Sequence, residues 1–161
     1  MARIVTRAND ETPVARSASA SAQRGAWMLA LCGAIPFIGL TLLLFALGER
    51  HPLRELVQDA LATYGALILS FLGGIRWGRA LRATDLDRAL PVFALSVVPS
   101  LIGWFALLAP RPHVFAILAV AFAAQGAWDA YAGLPAWFAR LRLWLSVIVT
   151  ATLGLAVLSG A

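Results

Sequence analysis

A chain of 161 residues that is 61% hydrophobic and 13% charged, with a mean hydropathy of +0.81, has about half the charge of a typical soluble domain, in which roughly 25% of residues are charged. This excludes an ordinary water-soluble fold and points to an all-α, polytopic integral membrane protein that forms one compact bundle. All thirteen basic residues are arginine and give a net charge of +5; because they cluster in the N-terminal stretch and beside apolar segments, they read as orientation signals rather than a nucleic-acid surface.

Residues 1–24 are rich in Ala, Ser and Arg, lack aromatic residues, and are expected to form a disordered cytoplasmic tail. Asp10 and Glu11 count against reading this stretch as an organellar transit peptide. The domain over 25–161 then holds five apolar segments, at about 26–47, 57–81, 89–109, 114–132 and 143–159, each close to the roughly 20 residues that one crossing needs. The first, Ala26 to Leu47, follows Arg24 and closes on Glu49-Arg50, and it exceeds a signal-peptide core of about 7–15 residues. Ala46-Leu47-Gly48 has the small residues of a cleavage site, which leaves removal of this segment as an alternative.

The second segment carries Glu55 and Asp59 near its start, where acids suit the helix dipole. Asp85-Leu86-Asp87-Arg88 reads as a polar loop, and Pro91 falls near the start of the third segment, where a missing N–H does no harm. Pro110-Arg111-Pro112-His113 predicts a tight turn that makes the third and fourth segments antiparallel neighbours. Gly133-Leu134-Pro135 ends the fourth segment, and Arg140 and Arg142 flank the fifth. The N-terminal tail, the second loop and the fourth loop, on one side, hold nine arginines, while the other side holds Arg50, Arg54 and Arg111. That asymmetry predicts the N-terminus inside and the C-terminus outside. Trp27, Trp77, Trp128, Trp137 and Trp144 fall near the predicted inner ends, as an aromatic belt does.

The polar residues within the spans are the candidate site. Arg76 lies six residues before Arg82, roughly 9 Å from the inner boundary at 1.5 Å per residue. Asp129, the only acid well inside a segment, lies at similar depth before Gly133. Either the two pair, with Gln125 one turn away on the same face, or Arg76 snorkels to headgroups and Asp129 reaches interfacial water. Ala66, Ser70, Gly74 and Gly78 recur every fourth residue, a small-residue stripe expected to pack against another helix. Ser96 and Ser100 bracket Pro99, where they would either stabilise a kink or line a substrate cavity.

Several chemistries lack their residues. His51 and His113, the only histidines, fall at outer loops, so neither a haem between helices nor a serine-protease base at membrane depth is expected. The single carboxylate excludes an aspartyl dyad, no glycine-rich phosphate loop or zinc-binding His pair occurs, and Cys32 stands alone, so no disulfide is expected within the chain. No metal and no cofactor is expected.

Three stretches together resemble the domain of unknown function 3429 family (transmembrane protein 69-like): Tyr64 to Gly78, Ser96 to Trp104, and Gln125-Gly126-Ala127-Trp128-Asp129. The resemblance implies a five-helix membrane protein of the bacterial inner membrane, or of mitochondria for eukaryotic relatives, and it brings no activity. It singles out Arg76, Ser100, Gln125 and Asp129 as the polar set. The expectation is a non-enzymatic inner-membrane protein acting through helix–helix contacts. Its partners would be lipid and other membrane proteins or a second copy, in the assembly or stability of a complex. The alternatives are a small transporter or channel for a proton, ion or metabolite, using Arg76, Gln125 and Asp129, and an enzyme acting on lipid.

Overall fold

The computed structural model describes residues 13–81, 86–130 and 135–160. They form five helices: α1 (Pro13–Ala46), α2 (Arg54–Ala80), α3 (Leu86–Leu107), α4 (His113–Ala130) and α5 (Ala136–Leu158). Four contain stretches long and apolar enough to cross a membrane. The fifth such stretch, in α4, is shorter, but the 18 residues of the helix rise about 27 Å, close to the thickness of a bilayer core. The chain is a multi-pass helical membrane protein.

Each helix packs on its neighbours in the chain, α5 closes the ring onto α1, and α2 touches α4 across the middle. The core is built where these contacts converge. Phe37 of α1 meets Tyr64 of α2 and Phe122 of α4 edge-on, with ring centres 5.0 and 5.7 Å apart, an arrangement that the ring quadrupoles favour. Leu44, Leu61, Leu69, Phe115, Leu118 and Leu153 are among the buried side chains packed with them. The Tyr64 hydroxyl donates to the Gly33 carbonyl at 2.9 Å, and the Thr41 hydroxyl donates to the Thr152 carbonyl at 3.4 Å. These bonds tie α1 to α2 and to α5.

Two close approaches depend on glycine. A Cβ on Gly73 would stand 2.2 Å from the Ser96 carbonyl oxygen, so α2 and α3 meet there backbone to backbone. A Cβ on Gly126 would stand 2.5 Å from the Ser146 side chain, which seats α4 on α5. The packing stripe expected from sequence is therefore corrected in part. Ala66 is buried, against Gly103 of α3, but Gly74 and Gly78 are exposed and have nothing within 4 Å of where a Cβ would stand. Ser70 bonds its own helix, donating to the Ala66 carbonyl at 2.9 Å. The inward face runs through Ala62, Gly65, Ala66, Leu69, Leu72 and Gly73, at the three- and four-residue spacing of a helix face.

Helix ends also depart from expectation. The first helix is described from Pro13 onward and so runs through part of the stretch expected to be a disordered tail. Extending an existing helix through Ala, Ser, Gln and Arg avoids a new nucleation step. Residues 1–12 lie outside the described residues, as do Asp85 of the expected second loop and Gly133-Leu134 of the fourth. Leu86-Asp87-Arg88, expected in a loop, are helical and belong to α3. The turn at Pro110–Pro112 lies where expected and joins α3 to α4, with Arg111 paired to Asp59 of α2. Within α3, Ser96 donates to the Val92 carbonyl at 2.6 Å, one turn back from the carbonyl that Pro99 leaves without a donor.

Arg54, counted from sequence among the outer-loop arginines, is buried. Its Nη1 donates to the carbonyls of Leu44 at 2.9 Å and Leu47 at 3.2 Å, and its Nη2 donates to that of Ser159 at 2.6 Å. One guanidinium thus serves the C-terminal ends of α1 and α5, where carbonyls lack intrahelical donors and the dipole favours a cation.

Candidate functional site

The fifth helix starts seven residues before the apolar segment expected from sequence, at Ala136 rather than about 143. That difference creates the site. Arg142, expected to flank the span in a loop, sits in the second turn of α5 and is buried. On α4, Gly126 lets α5 approach at Ser146, and from there the antiparallel register brings Asp129, three residues on, beside Arg142, four residues back. Arg76 arrives from the last turns of α2 at the same depth.

Asp129 is the hub. Its Oδ1 accepts from Arg76 Nη2 at 2.9 Å and from Gln125 Nε2 at 3.3 Å. Its Oδ2 accepts from Arg142 Nε at 2.8 Å and from Arg142 Nη2 as well. A carboxylate offers about four lone-pair sites, and here all four are taken. The side chains of Arg76, Asp129 and Arg142 are 13%, 8% and 7% exposed, so the ion pairs sit away from screening water. The Arg76 guanidinium also lies 3.9 Å from the centre of the Trp128 ring, a cation–π contact that covers its outer face. Trp77, the other candidate shield, packs edge-on against Phe93 instead, at 4.9 Å between ring centres.

Sequence reasoning places Arg76, Gln125 and Asp129 together, and in the structure they meet. Ser100 is half-buried on α3, and among the described residues no hydrogen bond joins it to the cluster. Arg142 is the residue missed, although its neighbours carried a signal. Phe138, Leu141, Arg142, Leu145 and Ser146 repeat at helical spacing and would have extended the fifth helix inward over the arginine. With Arg142 included, two guanidiniums face one carboxylate, a surplus of one positive charge. The fully buried Arg76 Nε has no hydrogen-bond partner. Among the described residues no three His, Cys, Asp or Glu side chains gather as metal ligands do.

Beside the cluster, α1, α2 and α5 leave a cavity of about 360 Å³. Its walls are apolar except for Arg142 and Ser146.

The model of the family described as "Protein of unknown function (DUF3429)" matches residues 22–158. Transmembrane protein 69 of Xenopus tropicalis is 35% identical over 139 residues, covering 82% of this chain and 53% of its own length. Transmembrane protein 69 of Mus musculus is 33% identical over 122 residues, covering 71% of this chain and 48% of its own. The chain therefore spans about half the length of these relatives. No solved structure matches it. The chain belongs to the DUF3429 family.

Proposed function

We propose that this DUF3429 protein is a non-enzymatic inner-membrane protein that works through helix–helix contacts, supporting the assembly or stability of a membrane complex. The observation that carries this reading is the saturation of Asp129. A carboxylate that relays protons or sheds a cation needs a lone pair open to the traffic, whereas this one is fully engaged in joining α2, α4 and α5. Such a centre fixes architecture. The outer surface of α2 supports the contact role, because Gly74 and Gly78 face away from the bundle. Paired small residues one turn apart on a lipid-facing surface let a second helix approach closely.

The test replaces both glycines. Gly74→Leu combined with Gly78→Leu should leave the melting temperature in detergent unchanged and abolish co-isolation of a second copy or of a partner complex from membranes. A folded double variant that keeps its partners, together with solute flux in liposomes that is lost on Asp129→Asn, would establish the transporter reading instead.

The orientation belongs to the same proposal. Removing Arg54 and Arg142 from the loop count, because both are buried, leaves eight arginines on one side and two on the other, and the asymmetry still favours the N-terminus inside. Alkaline phosphatase fused after Ala161 should be active, and a fluorescent protein fused there should stay dark. The reverse pattern would invert the bundle.

A further inference from the structure

The cavity beside the charge cluster has no assigned occupant. It is bounded by the middle of α1, the C-terminal half of α2 and the first four turns of α5, with Phe122 of α4 closing one wall. On α1 four of the six lining residues are small, Ala26, Ala30, Gly33 and Ala34, at a spacing that places them on one helix face. A face of that kind ordinarily lets another helix come close, yet here it borders open space. Leu29 and Phe71, also in the lining, are 77% and 67% exposed, so the cavity reaches the lipid-facing side of the bundle. At about 360 Å³ it falls within the roughly 300–1,000 Å³ of small-molecule sites, and walls this apolar offer water few partners.

The polar lining residues, Arg142 and Ser146, both lie on α5. Arg142, which bonds Asp129, lines the cavity together with Ser146 one turn further on, and about 10 Å of helix rise separates Arg142 from Val149 at the deep end. Behind Arg142, Asp129 already balances one guanidinium, and the second leaves the surplus positive charge and the unused Nε of Arg76. A positive charge held in low dielectric favours an incoming anion, and guanidinium is suited to carboxylate and phosphate oxygens.

The geometry points to a binding site for a single-chain anionic amphiphile drawn sideways from the membrane, its acid group at Arg142 and its alkyl chain along Phe37, Ile68 and Val149. A long-chain carboxylate is the simplest such ligand. Neither half of the site suffices alone: the apolar walls select the chain, and the surplus charge selects the acid.

The test uses the full chain in phosphatidylcholine vesicles with a diazirine-tagged palmitic acid, in alkaline buffer where the acid is ionised. Labelling should fall on peptides containing Leu29, Phe71 or Val149. Unlabelled palmitate should compete, whereas hexadecanol, which lacks the charge, and inorganic phosphate, which lacks the chain, should not. Ala30→Phe, which fills the cavity, should lower labelling about tenfold without lowering the melting temperature, and Arg142→Gln should erase the preference for palmitate over hexadecanol, about the tenfold effect of one lost charged hydrogen bond. Equal competition by hexadecanol, competition by phosphate alone, or labelling outside the cavity in the unmodified protein would each overturn the site without reference to any variant. Because the Gly74 and Gly78 surface plays no part here, failure of this test leaves the contact proposal standing.

Discussion

Asp129→Leu is expected to be the most damaging single substitution in the charge cluster, more damaging than loss of either arginine it binds. The reason is charge arithmetic at a buried site. The intact cluster carries two guanidiniums and one carboxylate, a surplus of one. Removing Asp129 raises the surplus to two and leaves both cations facing each other without a counter-ion. Breaking a buried pair by deleting one partner costs about 3–5 kcal/mol, and here one deletion strips two partners. Arg76→Leu, by contrast, leaves a balanced Arg142–Asp129 pair and removes a buried donor that had no acceptor, so its cost should be the smallest of the three. Arg142→Leu should fall between, because it removes two hydrogen bonds to Oδ2 while Arg76 still answers the charge. Thermal aggregation in one detergent should rank the melting temperatures as unmodified, Arg76→Leu, Arg142→Leu and then Asp129→Leu. A higher melting temperature for Asp129→Leu than for Arg76→Leu would show that the carboxylate is not the counter-ion of both.

The second large effect is expected at two glycines and not at the two that the sequence pattern favours. Gly73→Ala drives a methyl group into the Ser96 carbonyl, and Gly126→Ala drives one into the Ser146 side chain. Overpacking of a close contact costs about 1–3 kcal/mol. The Gly73 change should reach the top of that range, because its obstacle is backbone and cannot swing aside. Leucine at either position should prevent recovery of folded protein. Gly74→Leu or Gly78→Leu should leave folding intact, since neither position has a neighbour within 4 Å. Yield and melting temperature of these variants check this directly. Equal losses at Gly73 and Gly74 would contradict the face assigned to α2.

The pattern of what was legible in the sequence follows from the solvent. Segments long and apolar enough to cross a bilayer are visible in composition alone, because lipid demands them, and the five segments match five helices. Burial is harder to read, since lipid and core are both apolar and hydropathy cannot tell an inward face from an outward one. For that reason the period-four stripe through Gly74 and Gly78 looked like packing, while the inward face passes through Gly65, Leu69, Leu72 and Gly73. Polar residues escape this ambiguity. Arg76, Gln125 and Asp129 could be brought together by depth and helix face alone, because a charge in lipid needs a partner. Arg142 is harder to read, because arginines at span ends serve as topology signals, and a residue two turns inside α5 looks in sequence like part of its flank. Arg54 is harder to read for the same reason, looking in sequence like a loop residue while its guanidinium closes two helix ends.

The central claim is that one carboxylate, answered by two arginines, holds α2, α4 and α5 in register. A double-mutant cycle on Asp129 and Arg142 tests it most directly, with Leu at each position and stability read by chemical denaturation in one detergent. Residues in one buried network typically couple by about 0.5–3 kcal/mol. The expected result is a double variant no less stable than Asp129→Leu alone, with a coupling energy in the upper half of that range, because deleting Arg142 as well removes a cation that had lost its counter-ion. Losses that simply add, giving a double variant less stable than the unmodified protein by the sum of the two single effects, would contradict the claim.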